Sequence, residues 1–218
     1  MERGEDIIAP NPVFITQSGT FPQRFSDASA EAVRDKEEQA REQTFQALTA
    51  ENGVETNDET TKMWRVLGSL GSHDLSVMRE ALGMPTGVLG CHLRFPIWTV
   101  LFQYPDFAVT YESGFDDVPR FDAHLEVFGR KKTVKVQYDT PYVKGLPVVM
   151  TVREAVEGDE GAYQERIVRR TYEDPYTLEL KELWEMVVNG KEIKTTAEDA
   201  RRDLVTFGMV VRAEKFKV

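Results

Sequence analysis

The sequence lacks the glycine-rich segments that bind nucleotide phosphates. No Gly-x-Gly-x-x-Gly follows a predicted strand in the 218 residues, and there is no Walker-type loop. Such glycines let the backbone approach a phosphate at the N-terminus of a helix. We therefore predict that the chain binds no cofactor and, by itself, is not an NAD(P)-dependent dehydrogenase.

Metal-ligand and nucleophile motifs are also missing. The single cysteine, Cys91, excludes an internal disulfide and a thiolate metal cluster, and it is predicted to be a buried small hydrophobe. Neither His-Glu-x-x-His nor Gly-x-Ser-x-Gly occurs. The three histidines, His73, His92 and His124, fall in three different predicted elements, so a three-histidine site is a minor alternative and we predict no metal.

Basic residues are outnumbered, and long apolar runs are absent. The chain has 27 Lys and Arg against 37 Asp and Glu, a formal net charge of −10. This charge disfavours nucleic acid and anionic membranes as partners. No apolar run approaches the roughly 20 residues that span a bilayer. The charged N-terminus has no apolar stretch of signal-peptide type behind it, so we predict a cytoplasmic protein.

The first part of the chain reads mainly as helix. Residues 11–17 predict a strand, and residues 28–50 predict a helix that begins at Ser26 or Asp27 and shows most of its surface to water. Residues 51–61 are polar, contain Asn-Gly, and predict a loop that could act as a lid. Residues 63–67 are apolar and lead into a small-residue turn at 68–72, and residues 73–82 predict a helix with Gly83 as the C-cap.

The remainder predicts seven short strands followed by two helices. The strands are residues 88–95, 98–104, 107–113, 121–128, 133–138, 147–153 and 164–170. Their short connections favour antiparallel hairpins. Asp174-Pro175 begins a helix with an apolar stripe that ends at Asn189-Gly190, and Thr196 caps a last helix whose core side includes Leu204. We predict one α+β domain over residues 1–218, a large, mostly antiparallel open sheet with helices on one face.

One short segment places a histidine where chemistry is feasible. In the sequence GSLGSHD, residues 68–74, His73 follows small residues at the start of a helix. Small residues allow close approach of a ligand, and imidazole exchanges protons near neutral pH. A capping or packing role for a lone histidine is the alternative.

Four segments together resemble the C-terminal domain of the Gfo/Idh/MocA oxidoreductase family. They are residues 64–85 (WRVLGSLGSHDLSVMREALGMP), 104–129, 136–147 and 172–190, and the resemblance extends from about residue 6 to residue 213. The resemblance implies a substrate-binding domain with an open sheet that often builds the oligomer. It also implies that His73 transfers protons. Ser69 stands where the family has an aspartate, which implies a less basic His73, and the family's Rossmann domain and catalytic lysine have no counterpart.

The other candidate site residues are weaker, because each also suits a solvated or structural role. As further catalytic groups we predict Tyr142 and Lys144, in a loop punctuated by Pro and Gly. Predicted substrate-binding residues are Trp64, Ser69, Trp98, Arg120, His124 and Tyr172.

Three hypotheses follow for the function. The first is a cofactor-independent isomerase, lyase or cyclase acting on a small organic molecule, of the kind found in biosynthesis, with His73 as acid or base. The second is a fragment or split subunit of an NAD(P)-dependent oxidoreductase whose Rossmann part is a separate chain. The third is a non-catalytic dimerising or ligand-binding module, in which a homodimer forms through the sheet.

Overall fold

The computed structural model describes residues 28–118 and 120–214. The predicted strand at residues 11–17 and the predicted caps Ser26 and Asp27 lie outside the described residues. The described chain divides into two compact units. We refer to residues 28–116 with 195–214 as the first unit and to residues 117–194 as the second unit.

The first unit begins with the helix predicted over residues 28–50. Helix α1 spans Ala30–Phe45 and continues into a π-helical turn, Gln46–Glu51. Ser29 caps α1, because its side chain accepts a hydrogen bond from the Ala32 N–H. Only one side of this segment is anchored, through the fully buried Leu48, as expected for a helix with few apolar residues.

The predicted loop at residues 51–61 is shorter than expected. Helix α2, Asp58–Val66, begins within it, because Asn57 and Thr60 form a reciprocal capping box. The Thr60 side chain is fully buried. A role as a lid for the remaining loop stays a prediction.

The small-residue turn predicted at residues 68–72 is wrong. After α2 the chain makes a π-helical turn, Leu67–Gly71, and continues directly into helix α3, Ser72–Leu82. Gly and Ser tolerate this wider turn without leaving the helical backbone. Gly83 then ends α3 with φ 81°, as its C-cap position predicts.

A three-stranded antiparallel sheet completes the core of the first unit. Its strands are β1 (Gly87–His92), β2 (Ile97–Gln103) and β3 (Ala108–Gly114), in the order β1-β2-β3. Alternate residues of β2 are fully buried: Trp98, Val100 and Phe102.

The last helix of the chain, α5, also belongs to the first unit. It spans Ala197–Ala213, and Thr196 caps it as predicted. Phe207, Val210 and Val211 enter the core, whereas Leu204 is exposed and its predicted core position is wrong. The buried apolar stripe of α5 is therefore narrower than the sequence predicts.

The second unit contains a four-stranded antiparallel sheet and one helix. The strands are β4 (Ala123–Phe128), β5 (Lys132–Tyr138), β6 (Val149–Ala155) and β7 (Tyr163–Arg169), in sequential order. Helix α4, Pro175–Asn189, begins at the Asp174 cap and ends at Gly190 with φ 67°, as predicted. Its predicted apolar stripe is not buried, because no residue of α4 is buried.

The α+β class is therefore confirmed. All seven predicted strands are present, and every pair of neighbouring strands is antiparallel. The strands form two sheets of three and four, where the sequence predicts one large sheet. Among the described residues, no helix is long and apolar enough to cross a membrane.

Candidate functional site

His73 lies on the surface of the first turn of α3. Its side chain is exposed, and its carbonyl oxygen accepts a hydrogen bond of 3.1 Å from the Ser76 Oγ. Ser69, also exposed, occupies the preceding π-helical turn, where its Oγ donates to the Val66 carbonyl at 3.3 Å. The motif of residues 68–74 thus presents an imidazole to solvent from a continuous helical segment.

A buried arginine fixes the helix that carries His73. Arg79 of α3 donates from Nε to Asp203 Oδ1 at 2.8 Å and from Nη1 to Asp199 Oδ1 at 2.9 Å. Both carboxylates belong to α5, and only 5% of the Arg79 side chain is exposed. Arg79 holds the pKa of the Asp199 carboxyl below its usual range, through hydrogen bonding first and charge second. Charged hydrogen bonds of this kind tie α3 to α5.

Trp64 and Trp98, which the sequence predicts to bind substrate, both pack in the core of the first unit. The Trp64 ring meets Phe207 edge-on, with centroids 6.0 Å apart. Trp98 is fully buried between Phe95 and Phe115, at centroid distances of 5.4 and 5.7 Å.

A polar cluster that the sequence did not predict lies beneath the π-helical turn at residues 67–71. Tyr111 of β3 is buried, and burial raises the pKa of its hydroxyl to about 12, with the nearby Asp74 charge adding to the effect. The Tyr111 Oη and the Trp98 Nε1 are both buried, and the Tyr111 hydroxyl lies within hydrogen-bonding reach of the Trp98 and Ser113 side chains. Strand alternation marks both side chains as inward, but sequence gives no sign that they meet.

Arg120 and His124, two predicted substrate-binding residues of the second unit, both lie close to the Asp122 carboxylate. Arg120 Nη1 lies 3.4 Å from Asp122 Oδ2, and His124 Nδ1 lies 3.5 Å from Asp122 Oδ1. The pKa of Asp122 is lowered, chiefly by the hydrogen bond from Gln137 and secondarily by His124 and Arg120. All three side chains are substantially exposed, so this cluster is a surface polar network that includes the Arg120–Asp122 ion pair.

The remaining candidates lie near the N-terminus of α4. Lys144 Nζ is 3.9 Å from the capping Asp174 Oδ2, and the Tyr142 ring is 6.0 Å from that of Tyr176. Tyr172 is exposed. The structure thus brings Tyr142 and Lys144 to the same helix end.

The predicted site residues are divided between the units. His73, Ser69, Trp64 and Trp98 belong to the first, whereas Tyr142, Lys144, Arg120, His124 and Tyr172 belong to the second. In the part of the chain that the structure describes, no three His, Cys, Asp or Glu side chains are grouped to hold a metal ion. Cys91 is partly buried beside Glu214, and burial first, then that carboxylate, raises the pKa of the thiol to about 12.

Comparison with known proteins gives a likeness in fold. No family model matches the chain, and no curated protein matches it. One similar solved structure is a predicted NADPH-dependent oxidoreductase from Desulfitobacterium hafniense, with a TM-score of 0.54, 18% identity, and coverage of 71% of this chain and 47% of that one. Another is a predicted oxidoreductase, YvaA of Bacillus subtilis, with a TM-score of 0.50, 14% identity, and coverage of 69% and 51%. This chain therefore matches about half the length of each, and it shares its fold with that part of these two structures.

The Arg79 contacts predict an acid-sensitive stability. Arg79→Met leaves two carboxylates without their cation, so we expect the free energy of unfolding at pH 7 to fall by about 2 kcal/mol or more. Because Arg79 depresses the pKa of Asp199, its contribution is present above the ordinary Asp pKa and is lost as the pH falls through the lower folded value. Urea denaturation from pH 7 to pH 3 measures both effects.

Arg201→Met is the matched control on α5, since Arg201 forms an exposed ion pair with Glu198. We expect little change in stability from it. Equal destabilisation by the two variants would contradict the role given to Arg79.

Proposed function

We propose that this chain transfers a proton on a small organic metabolite, using His73 as the acid–base group of a fold derived from oxidoreductases. The observation that carries the proposal is the position of His73. Its imidazole is exposed on α3, a helix held to α5 by the buried Arg79. An exposed imidazole on a fixed support is suited to general acid–base catalysis.

The described residues do not fit a nicotinamide dinucleotide. Such cofactors bind outside the carboxyl ends of parallel strands, at a glycine-rich turn into a helix. Both described sheets are antiparallel, and the sequence contains no such glycine-rich turn. We therefore assign no hydride-transfer step to these residues, although the two similar structures are predicted oxidoreductases.

The chemistry that an exposed imidazole supports is proton transfer. His73 would take a proton from a carbon next to a carbonyl and return it to the oxygen or to a neighbouring carbon, which isomerises the substrate without net oxidation. If a leaving group departs from the adjacent carbon instead, the same first step gives an elimination. Tyr142 and Lys144 remain predicted partners that polarise the carbonyl.

Solvent deuterium exchange tests this proposal without knowledge of the product. A panel of hydroxy ketones, hydroxy acids and cyclic ketones is incubated with the protein in D2O, without nicotinamide, and followed by proton NMR. We expect His73→Gln to slow the exchange by about a hundredfold or more, the usual loss of a general base.

His92→Gln is the control, because His92 is an exposed histidine of β1 in the same unit. The His92→Gln variant should catalyse deuterium exchange of the substrates at the wild-type rate. Equal rates for wild type and His73→Gln would contradict the proposal.

A split oxidoreductase is the second candidate. It is favoured by the finding that this chain matches about half the length of each similar structure. Under this alternative a separate protein supplies the dinucleotide site, and turnover of the same panel requires that protein together with NADPH. Exchange by the isolated chain would favour proton transfer by this chain alone.

We also propose that two copies associate through one face of the four-stranded sheet. The strand register puts three strongly exposed apolar side chains on this face: Phe128 (77% exposed), Tyr163 (70%) and Ile167 (51%). The same face carries Arg153, which lies 2.8 Å from Glu165 and 3.7 Å from Glu126. Apolar side chains among charges of both signs suit a self-complementary interface, which is why we assign a second copy as the occupant.

Phe128→Asp tests the association. We expect light scattering coupled to size-exclusion chromatography to give the dimer mass for the wild type and half that mass for the variant, because a desolvated carboxylate opposes the contact. Leu89→Asp, at an exposed position of β1 in the first unit, should remain a dimer. A wild-type monomer at all concentrations would contradict this proposal.

A further inference from the structure

The dipeptide Asn-Gly occurs twice in the chain, at residues 52–53 and at residues 189–190. An asparagine in this context is chemically labile, because the glycine nitrogen can attack the side-chain carbonyl carbon and glycine has no Cβ to hinder the approach. A five-membered succinimide forms as ammonia leaves, and water then opens the ring to aspartate or isoaspartate. The reaction needs only the chain and water, so the local structure around each asparagine decides which of the two reacts.

Both asparagines lie at the C-terminal end of a helical segment. Asn52 follows the π-helical turn at residues 46–51, and Asn189 is the last residue of α4. The glycine N–H after each one donates to a carbonyl of the preceding turn, that of Thr49 or that of Glu185. Ring closure requires this hydrogen bond to break and the backbone to leave the helical conformation. The rate at each site is therefore set by how often its turn opens.

The Asn52 amide is held by contacts within the first unit. Its Nδ2 donates to the Ala47 carbonyl at 2.7 Å, and its Oδ1 accepts a hydrogen bond from the Arg212 side chain. A Cβ at Gly208 would overlap the Asn52 Oδ1, so the amide packs directly against the backbone of α5. The fully buried Leu48 lies in the same turn. Opening this turn therefore breaks contacts with the core of the unit.

The Asn189 amide lies in a turn without buried side chains. It is exposed, and its Nδ2 donates at 2.8 Å to the Glu185 Oε2, one turn earlier on the same helix. The neighbouring Val187 and Val188 are 75% and 58% exposed, and no residue of α4 is buried. Fraying of this last turn uncovers little apolar surface that water does not already reach. The turn therefore opens at a small cost in free energy.

We propose that Asn189 is a site of spontaneous deamidation, whereas Asn52 is protected by its contacts with α5. The product carboxylate replaces an amide that donates to Glu185, so two negative charges then stand one turn apart. The new charge also lies at the C-terminal end of α4, where the helix dipole disfavours an anion. Isoaspartate, in addition, lengthens the main chain by one methylene and displaces the Gly190 N–H from its acceptor. Deamidation thus loosens the end of α4.

Peptide mapping by mass spectrometry tests this assignment on the wild-type chain. The folded protein is incubated at mildly alkaline pH, which favours loss of the glycine N–H proton, and conversion of the two Asn-Gly peptides is followed in the same sample. We expect residue 189 to convert at least about tenfold faster than residue 52, because a frayed helix end opens far more often than a packed turn. In concentrated urea, where neither turn is folded, the two rates should become similar.

Two variants at the same position test the consequence for α4. Asn189→Asp imitates the product, and amide hydrogen exchange in the last turn of α4 should be faster than in the wild type. Asn189→Gln is the matched control, since it keeps a neutral amide and should exchange like the wild type. The inference is overturned if the folded protein lacks the tenfold difference between the two sites, if that difference persists in urea, or if Asn189→Asp leaves the exchange unchanged.

Discussion

The ion-pair cluster of Arg79 is the contact on which the first unit depends. It joins α3 to α5, two helices separated by more than a hundred residues of chain, and the Arg79 side chain in it is nearly excluded from solvent. An arginine in such a place is tolerated only when its donors are satisfied, and here two carboxylates do so. The cluster fixes the direction in which α3 presents its first turn, and therefore where the His73 imidazole stands. The proposed chemistry follows from this support.

The two units differ in how much of their apolar surface they bury. The first unit buries alternate residues of β2 against helices and has a core of its own, which includes Trp98, Leu67 and Phe207. The second unit leaves the apolar stripe of α4 exposed, along with aromatic side chains of the sheet. Exposed apolar patches of this kind are typical of proteins that associate, because a partner chain covers them and removes them from water. The first unit is thus suited to hold a fixed site, and the second to form contacts with another chain.

Much of the fold is predictable from local sequence signals. Asp174-Pro175 and Gly190 mark both ends of α4, and Gly83 marks the end of α3, because capping depends on a few adjacent residues. The wide turn at residues 67–71 is not predictable, since Gly and Ser there also suit an ordinary turn. Of the candidate site, His73 is a prediction from its motif. Tyr111 and its contact with Trp98 arise from strand pairing, and an isolated strand gives no information about its partner.

Amide hydrogen exchange tests the central claim, that His73 is carried on a rigid support, together with the proposal that the second unit associates with a second copy. The account predicts that α3 amides near Arg79 exchange as slowly as those of α5, and that α4 amides exchange quickly in dilute protein. Raising the protein concentration should leave α3 unchanged and slow exchange in the second unit. The account would be contradicted if α3 exchanged as fast as α4, or if exchange in the second unit were slow and independent of concentration.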